Sequence, residues 1–290
     1  MKLQKATRKQ VKLKLGLSAV SGGGKTYSSL LIAYGMCNDW TKIAVIDTEN
    51  DSAQLYSDLG EYNTIPLHAP YTPERYIEAI KVCEDAGMAV IIIDSITHEW
   101  DGKGGILEIS NSMSGNSFTN WAKLTPRHQS FIDAILQSKC HVITTVRRKQ
   151  DYEMNKVDGK LTVQKAGLKE ITREGFEYEL TVNLELDVKH NCTASKDRTG
   201  LFVGKPDFVP SIETGKMLME WCMKGIVPEQ PKPKITNYVH AVNAAKSSVT
   251  IEELTENWKR CDTETQAHPS VIDEFKAKGI ELKSHATATN

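Results

Sequence analysis

The sequence predicts an α/β chain with a mostly parallel central sheet, an antiparallel C-terminal extension and a small helical tail. Three observations carry this expectation. Apolar and polar residues alternate over 11–17 and run into Ser21-Gly22-Gly23-Gly24-Lys25-Thr26, after which Leu30, Leu31, Ile32 and Tyr34 mark a buried helix face. Two further apolar runs, 43–46 and 89–93, lead into Asp47 and Asp94, with a helical pattern between them. Beyond residue 225 the composition shifts, with Pro228, Pro231 and Pro233 close together among charged residues.

Taken in order, the first strand and its glycine loop open a helix. The run 43–46 is a second strand, and 73–86 is a helix that Thr72 and Pro73 open, because proline at the first helical position is already set for the helix. Residues 89–93 form a third strand and 121–136 another helix. Residues 141–146 form a fourth strand. Runs of aliphatic residues with no alternation fit strands covered by helices on both faces. After Arg147 comes a charged stretch to Lys169, expected as a loop. Tyr178, Leu180, Val182, Leu184, Leu186 and Val188 then alternate with polar residues, which predicts one long strand over 176–188 with a hairpin partner over 191–203. A closing helix over 211–224 stops at Gly225. The domain reading is a core over 1–225, a semi-rigid linker over 226–235 and a helical region over 236–290.

Composition narrows the class. The chain has 290 residues, 40% apolar and 25% charged, which is ordinary for a globular protein and excludes disordered, collagen-like and coiled-coil classes. Its longest aliphatic run, 88–93, is far short of the roughly 20 residues that a membrane-spanning helix needs. No apolar stretch follows the basic N-terminus, and the six cysteines form no CxxC pair, so reduced thiols in a cytoplasm are expected. The formal net charge is -1, yet residues 1–38 carry Lys2, Lys5, Arg8, Lys9, Lys12, Lys14 and Lys25 and no carboxylate. That arm is either a solvated face or one that attracts phosphates.

The glycine loop has the chemistry of a phosphate cradle. Without Cβ atoms, Gly22, Gly23 and Gly24 let backbone N–H groups curl around an anion, and the following helix N-terminus adds partial positive charge. Ser21, the three glycines, Lys25, Thr26 and Tyr27 are therefore the expected nucleotide-binding residues. Lys25 is placed to reach the β and γ phosphates, and Thr26 supplies a hydroxyl for Mg²⁺, as in a Walker A loop. That pattern has glycine five residues before Gly24, and here the position holds Ala19. The run Val90 to Ile93 delivers Asp94 to the carboxyl edge of the sheet as a Walker B carboxylate, holding Mg²⁺ through water. The position after Asp94, where many P-loop ATPases carry a glutamate, is Ser95. Glu49, after Ile46-Asp47-Thr48, is the replacement carboxylate for orienting the attacking water; a solvated loop acid or a ribose-binding acid are its alternatives. No HExxH, GxSxG or zinc-like cysteine spacing is present.

The glycine loop, Ile46-Asp47-Thr48-Glu49 and Ile91-Ile92-Ile93-Asp94-Ser95 resemble the core of RecA-type ATPases. Over about 10–225, with Thr144-Thr145-Val146-Arg147-Arg148-Lys149 and Ala194-Ser195-Lys196-Asp197-Arg198-Thr199-Gly200, the chain looks most like small phage-type AAA/RecA-like nucleotide-binding proteins, some of which are single-strand-annealing recombinases. The resemblance implies a RecA-like P-loop fold, Mg²⁺-dependent ATP turnover and a homo-oligomer, filament or ring, with ATP between subunits. It further implies single-stranded DNA as partner, in the cytoplasm of a phage-infected or prophage-bearing host. Lys196 and Arg198 become candidates for a basic pair reaching a neighbour's ATP, with a solvated turn as the alternative reading, and Arg147 becomes a γ-phosphate sensor. Two stretches are candidate DNA contacts: the basic loop with Lys156, Lys160, Lys165 and Lys169 against Asp151, Glu153 and Asp158, and the Gly/Ser/Asn-rich stretch from Trp100 to Phe118, whose aromatic ends suit base stacking. The region from 236 is a possible dock for a single-strand-binding or other recombination protein. A ring motor, such as a helicase or packaging-related translocase, and a nucleotide-gated assembly protein without DNA are the competing functions.

Overall fold

The computed structural model describes the backbone of residues 5–157, 160–226 and 234–288, and their side chains except at 152–166 and 285–288. Asp158, Lys2 and the linker prolines Pro228, Pro231 and Pro233 lie outside the described residues. Two compact units divide at Ile226.

The first unit is an α/β layer structure. Its strands are β1 (Lys14–Ala19), β2 (Ile43–Asp47), β3 (Asn63–Pro66), β4 (Val90–Asp94), β5 (His141–Val157), β6 (Lys160–Glu170), β7 (Val182–Leu186) and β8 (Cys192–Asp197). They lie in the order β3-β2-β4-β5-β1-β7-β8, with β6 paired to β5. Every pairing from β3 across to β7 is parallel; β7 with β8 and β5 with β6 are antiparallel. Between and around them run α1 (Lys25–Cys37), α2 (Pro73–Asp85), α3 (Thr97–Asp101), α4 (Ile106–Ser112), α5 (Ser117–Gln137), α6 (Phe176–Glu179) and α7 (Ile212–Met223). This is the mostly parallel sheet with an antiparallel pair expected of a RecA-like P-loop fold.

Two cores flank the sheet. On one face Leu13, Leu15, Leu17 and Val45 pack with Leu30 and Ile32 of α1 and Leu218 of α7. On the other, Ile91, Ile93 and Val142 pack with Tyr76 and Ile80 of α2 and Phe131 and Ile135 of α5. Helices α1 and α7 approach backbone to backbone, which two facing glycines permit. A Cβ on Gly35 would lie 2.0 Å from the Ile212 carbonyl oxygen, and one on Gly215 would lie 2.1 Å from that of Ile32. Among the described residues no helix is long and apolar enough to cross a membrane.

Several expected elements are redrawn. The first strand sits two to three residues later than the alternation suggested. Central in the sheet, β1 is buried throughout, and Lys14 is accommodated by donating to the carbonyls of Ser138 and Cys140 at 2.9 and 2.8 Å. The long strand over 176–188 is instead the short helix α6 followed by β7, because Gly175 at φ +92° turns the chain and Phe176 and Leu180 anchor it in the core. Tyr178, which extended the alternation, is exposed. Thus β7 joins the parallel sheet beside β1, and of these two strands only β8 runs antiparallel. The basic loop after Arg147 is not a loop: β5 continues to Val157 and pairs antiparallel with β6, a ladder broken by one irregularity between Asp151 and Tyr152. Lys156, Lys160 and Lys165 belong to these two strands. The stretch from Trp100 to Phe118 folds into the end of α3, α4 and the start of α5. Strand β3 and the 3₁₀ segment Ser52–Leu59 had no periodic signal.

The second unit comprises α8 (Tyr238–Ser247), α9 (Ile251–Arg260), α10 (Thr263–Ala267) and α11 (Pro269–Ala288) around Ala241, Ala245, Leu254, Val271 and Phe275.

Candidate nucleotide site

Strands β1, β2 and β4 end at one edge of the sheet, which β5 crosses at Arg147, so the loops leaving the three strands converge beside Arg147, where open α/β sheets bind ligands. A cavity of about 550 Å³ lies there. Its lining includes Lys25, Thr26, Glu49, Asp94 and Arg147, so five residues singled out from the sequence for the nucleotide and its chemistry share one space.

The loop from β1 to α1 depends on its glycines. Gly22 and Gly24 have φ of +78° and +84°, conformations that side-chain-bearing residues rarely adopt. Gly23 is the buried one, its N–H donating to the Val20 carbonyl at 3.1 Å. A Cβ on Gly23 would lie 2.7 Å from the Ala19 methyl. The departure from glycine at position 19 is thus matched by glycine at position 23. Ser21, Gly22, Gly24 and Tyr27 line the cavity with Lys25 and Thr26, while Gly23 is buried outside that lining.

Lys25 is buried, and its ammonium donates to the carbonyls of Ala19 and Val20 at 3.4 and 3.2 Å. Burial pulls its pKa below the usual lysine value; the Asp94 carboxylate opposes this, and Arg147 adds to it. Asp94 is held between two hydroxyls, Thr26 Oγ1 and Thr145 Oγ1, each 2.5 Å from one carboxylate oxygen. Hydrogen bonds to a charged acceptor contribute about 1.5–3 kcal/mol each, so the position of Asp94 is well defined. Thr26 and Asp94 offer hard oxygen donors side by side, the kind of donor that Mg²⁺ takes. Among the described residues no cluster of three or more His, Cys, Asp or Glu could hold a metal by itself.

Glu49 reaches the cavity because Asp47 shapes the turn behind it: the buried Asp47 carboxylate accepts from the N–H groups of Glu49 and Ala53 at 2.7 and 2.8 Å. Burial raises the Asp47 pKa, and the bonds from the Ala53 N–H counter it. Glu49 accepts from the Ser95 hydroxyl at 2.9 Å and forms a two-pronged ion pair with Arg147, whose Nε lies 2.8 Å from Oε1 while Nη2 meets Oε2. Ser95, the residue in place of a glutamate after Asp94, thereby orients the glutamate supplied by β2. Its backbone is fixed from both sides, its N–H donating to Thr48 Oγ1 at 2.8 Å and its carbonyl accepting from the Tyr76 hydroxyl at 3.0 Å.

The remaining lining escaped sequence reading. Tyr56 and Ser52 come from the 3₁₀ segment, His190 from the turn between β7 and β8, and Val209 and Pro210 from the approach to α7. The rings of Tyr27 and Tyr56 are 5.7 Å apart and tilted by 55°. These are aromatic and apolar surfaces beside a charged set, the division of a site for a ligand with a flat ring and an anionic tail. Asp187, read as part of the strand expected over 176–188, carries the turn-forming side chain that could have pointed to His190.

Lys196 and Arg198 do not line this cavity. They share an acceptor elsewhere, both donating to the Tyr178 carbonyl, Arg198 at 3.0 Å. Burial lowers the Lys196 pKa, with the Arg198 charge as second cause. The two side chains do lie together, as residues two apart on an extended chain should.

Comparison with known families agrees with the geometry. A family model described as an AAA domain matches residues 11–210, more than half of the chain and all eight strands. No curated protein matches. From the glycine loop to the approach to α7, then, the chain belongs to the AAA domain family of P-loop ATPases.

Proposed function

We propose that this chain binds and hydrolyses ATP with Mg²⁺ and acts on single-stranded DNA in phage-type recombination or annealing, with ATP bound between subunits. The convergence of Lys25, Thr26, Asp94, Glu49 and Arg147 on one cavity is the observation that supports it most. On this reading, the loop N–H groups and Lys25 hold the phosphates. Thr26 and Asp94 would hold Mg²⁺, which when bound would neutralise phosphate charge. Glu49 takes the proton of the attacking water. Arg147 has two partners available, Glu49 as observed or a γ-phosphate, so arrival of the triphosphate frees Glu49 for its task.

The DNA part draws on a second cavity of about 550 Å³, in which the two stretches suspected from the sequence meet. Its lining carries Trp100 together with Lys149, Lys169 and Arg173, and also the acids Asp101, Asp151, Glu170 and Glu174. Lys149 and Lys169 are directly opposed in the β5–β6 ladder, and Lys169 is ion-paired with Glu174, so a phosphate there would compete with that carboxylate. The strand that supplies Lys149 also supplies Arg147, giving the nucleotide and the DNA a common element. Lys196 and Arg198, outside their own subunit's cavity, are assigned to a neighbour's phosphates. The test is ATP turnover with and without single-stranded DNA, and DNA affinity across salt. Stimulation and a log–log slope of about -0.7 per phosphate contact are expected. Turnover indifferent to DNA, with no salt-dependent binding, overturns the DNA assignment.

A further inference from the structure

The turn between β7 and β8 is built with unusual care for an exposed segment. The Asp187 carboxylate accepts from the backbone N–H groups of Lys189 and Asn191 at 2.7 and 2.8 Å and from the Asn191 side chain at 3.2 Å. The Asp187 carbonyl accepts from the His190 N–H at 3.1 Å, and the Asp187 N–H donates to the Asn191 carbonyl at 2.9 Å. This network holds His190 at φ +65°, the left-handed region in which non-glycine residues are uncommon. The outcome is the position of the imidazole. A Cβ built on Gly24 would lie 2.7 Å from His190 Nδ1, so the ring sits on the last glycine of the phosphate loop, just before the N-terminus of α1.

His190 also lines the nucleotide cavity. The groups already facing that cavity are otherwise engaged: Glu49 with Arg147 and Ser95, Asp94 with Thr26 and Thr145, and Lys25 with two carbonyls. An imidazole always presents at least one N–H donor, and over a glycine loop the acceptor it would meet is a phosphate oxygen.

We propose that His190 is a ligand of the nucleotide's phosphate chain, delivered to the glycine loop by the Asp187 turn. The assignment rests on the nucleotide reading of the cavity. It is distinct from contact with the base, for which the Tyr27 and Tyr56 rings offer aromatic surface.

The experiment titrates the full-length wild type and the His190→Ala and His190→Gln variants with ADP and with inorganic pyrophosphate, which has phosphates and no base. His190→Ala is expected to weaken both ligands by about tenfold, the size of one hydrogen bond to a charged group. His190→Gln, which keeps an N–H donor, should recover part of the loss. The side chain is exposed, so the melting temperature of each variant should match the wild type. Unchanged affinity for both ligands in His190→Ala overturns the proposal, as does a loss for ADP with none for pyrophosphate. A wild type that binds neither ligand overturns the nucleotide reading itself.

Discussion

Replacing Glu49 with Gln removes one negative charge and almost no volume, which separates a chemical role from a structural one. Two partners decide the structural cost. The Ser95 hydroxyl, 2.9 Å from Oε1, can donate to the amide oxygen as it does to the carboxylate. The Arg147 pair loses its charge, and one amide N–H then faces the Nη2 donor; with side chains only 37% and 17% exposed, that pair contributes about 1–3 kcal/mol. In a chain of this size each kcal/mol corresponds to a melting shift of roughly 2–4 °C. General-base catalysis contributes about 10²- to 10⁴-fold in rate, or roughly 3–5 kcal/mol of barrier, so the kinetic effect should dominate. Single-turnover phosphate release at saturating Mg-ATP should fall by at least about a hundredfold in Glu49→Gln, with ATP affinity within about threefold of wild type. Release within about threefold of wild type would refute the role of Glu49.

Three further outcomes follow from other parts of the structure. Lys196→Ala and Arg198→Ala should each keep ATP binding and lose about 10³- to 10⁵-fold in turnover. Mixing either with a Lys25→Ala chain should restore part of the activity, because a finger from one subunit then meets an intact loop in another; turnover unchanged in both single variants removes the assignment. His141 is buried, its Nδ1 accepting the Leu13 N–H at 3.0 Å, and burial holds its pKa down to about 3 against an ordinary 6.5. An unfolded chain takes up that proton where the folded one does not, so stability should be retained above pH 6.5 and fall toward pH 3 by up to about 1.4 kcal/mol per pH unit. Denaturant unfolding between pH 7 and pH 4 checks this, and a His141→Asn variant with an equally steep decline would exonerate His141. Gly24→Ala should abolish nucleotide binding while the sheet persists, since the new Cβ meets both a φ of +84° and the His190 ring; wild-type affinity in that variant contradicts the geometry.

The sequence was most legible where one physical demand dominates. The glycine loop announced itself because phosphate cradles need backbone without Cβ, and β2 and β4 because strands covered on both faces are aliphatic throughout. Asp94 and Glu49 followed from strand ends alone. Ala19 looked like a defect until the fold showed its methyl against Gly23, a pairing that a linear motif cannot express. The region after Arg147 misled because charge was taken for a loop, whereas two-stranded pairing tolerates charged residues when one face is open. Alternation at Tyr178 and Leu180 mimicked a strand, and only Gly175 hinted at the turn that breaks it. His190, Tyr56 and Pro210 come from three separate segments, and nothing local marks residues that meet only once the chain has closed.

The most direct measurement is equilibrium binding of ATP to the purified wild-type chain and to Lys25→Ala, each with and without Mg²⁺. Wild type should take up ATP at or below millimolar concentration and bind it more tightly with Mg²⁺ present, and Lys25→Ala should lose that uptake while remaining folded. Wild type that takes up no ATP with Mg²⁺ at millimolar levels, or a Lys25→Ala chain that binds as wild type does, would contradict the assignment of the cavity to a triphosphate.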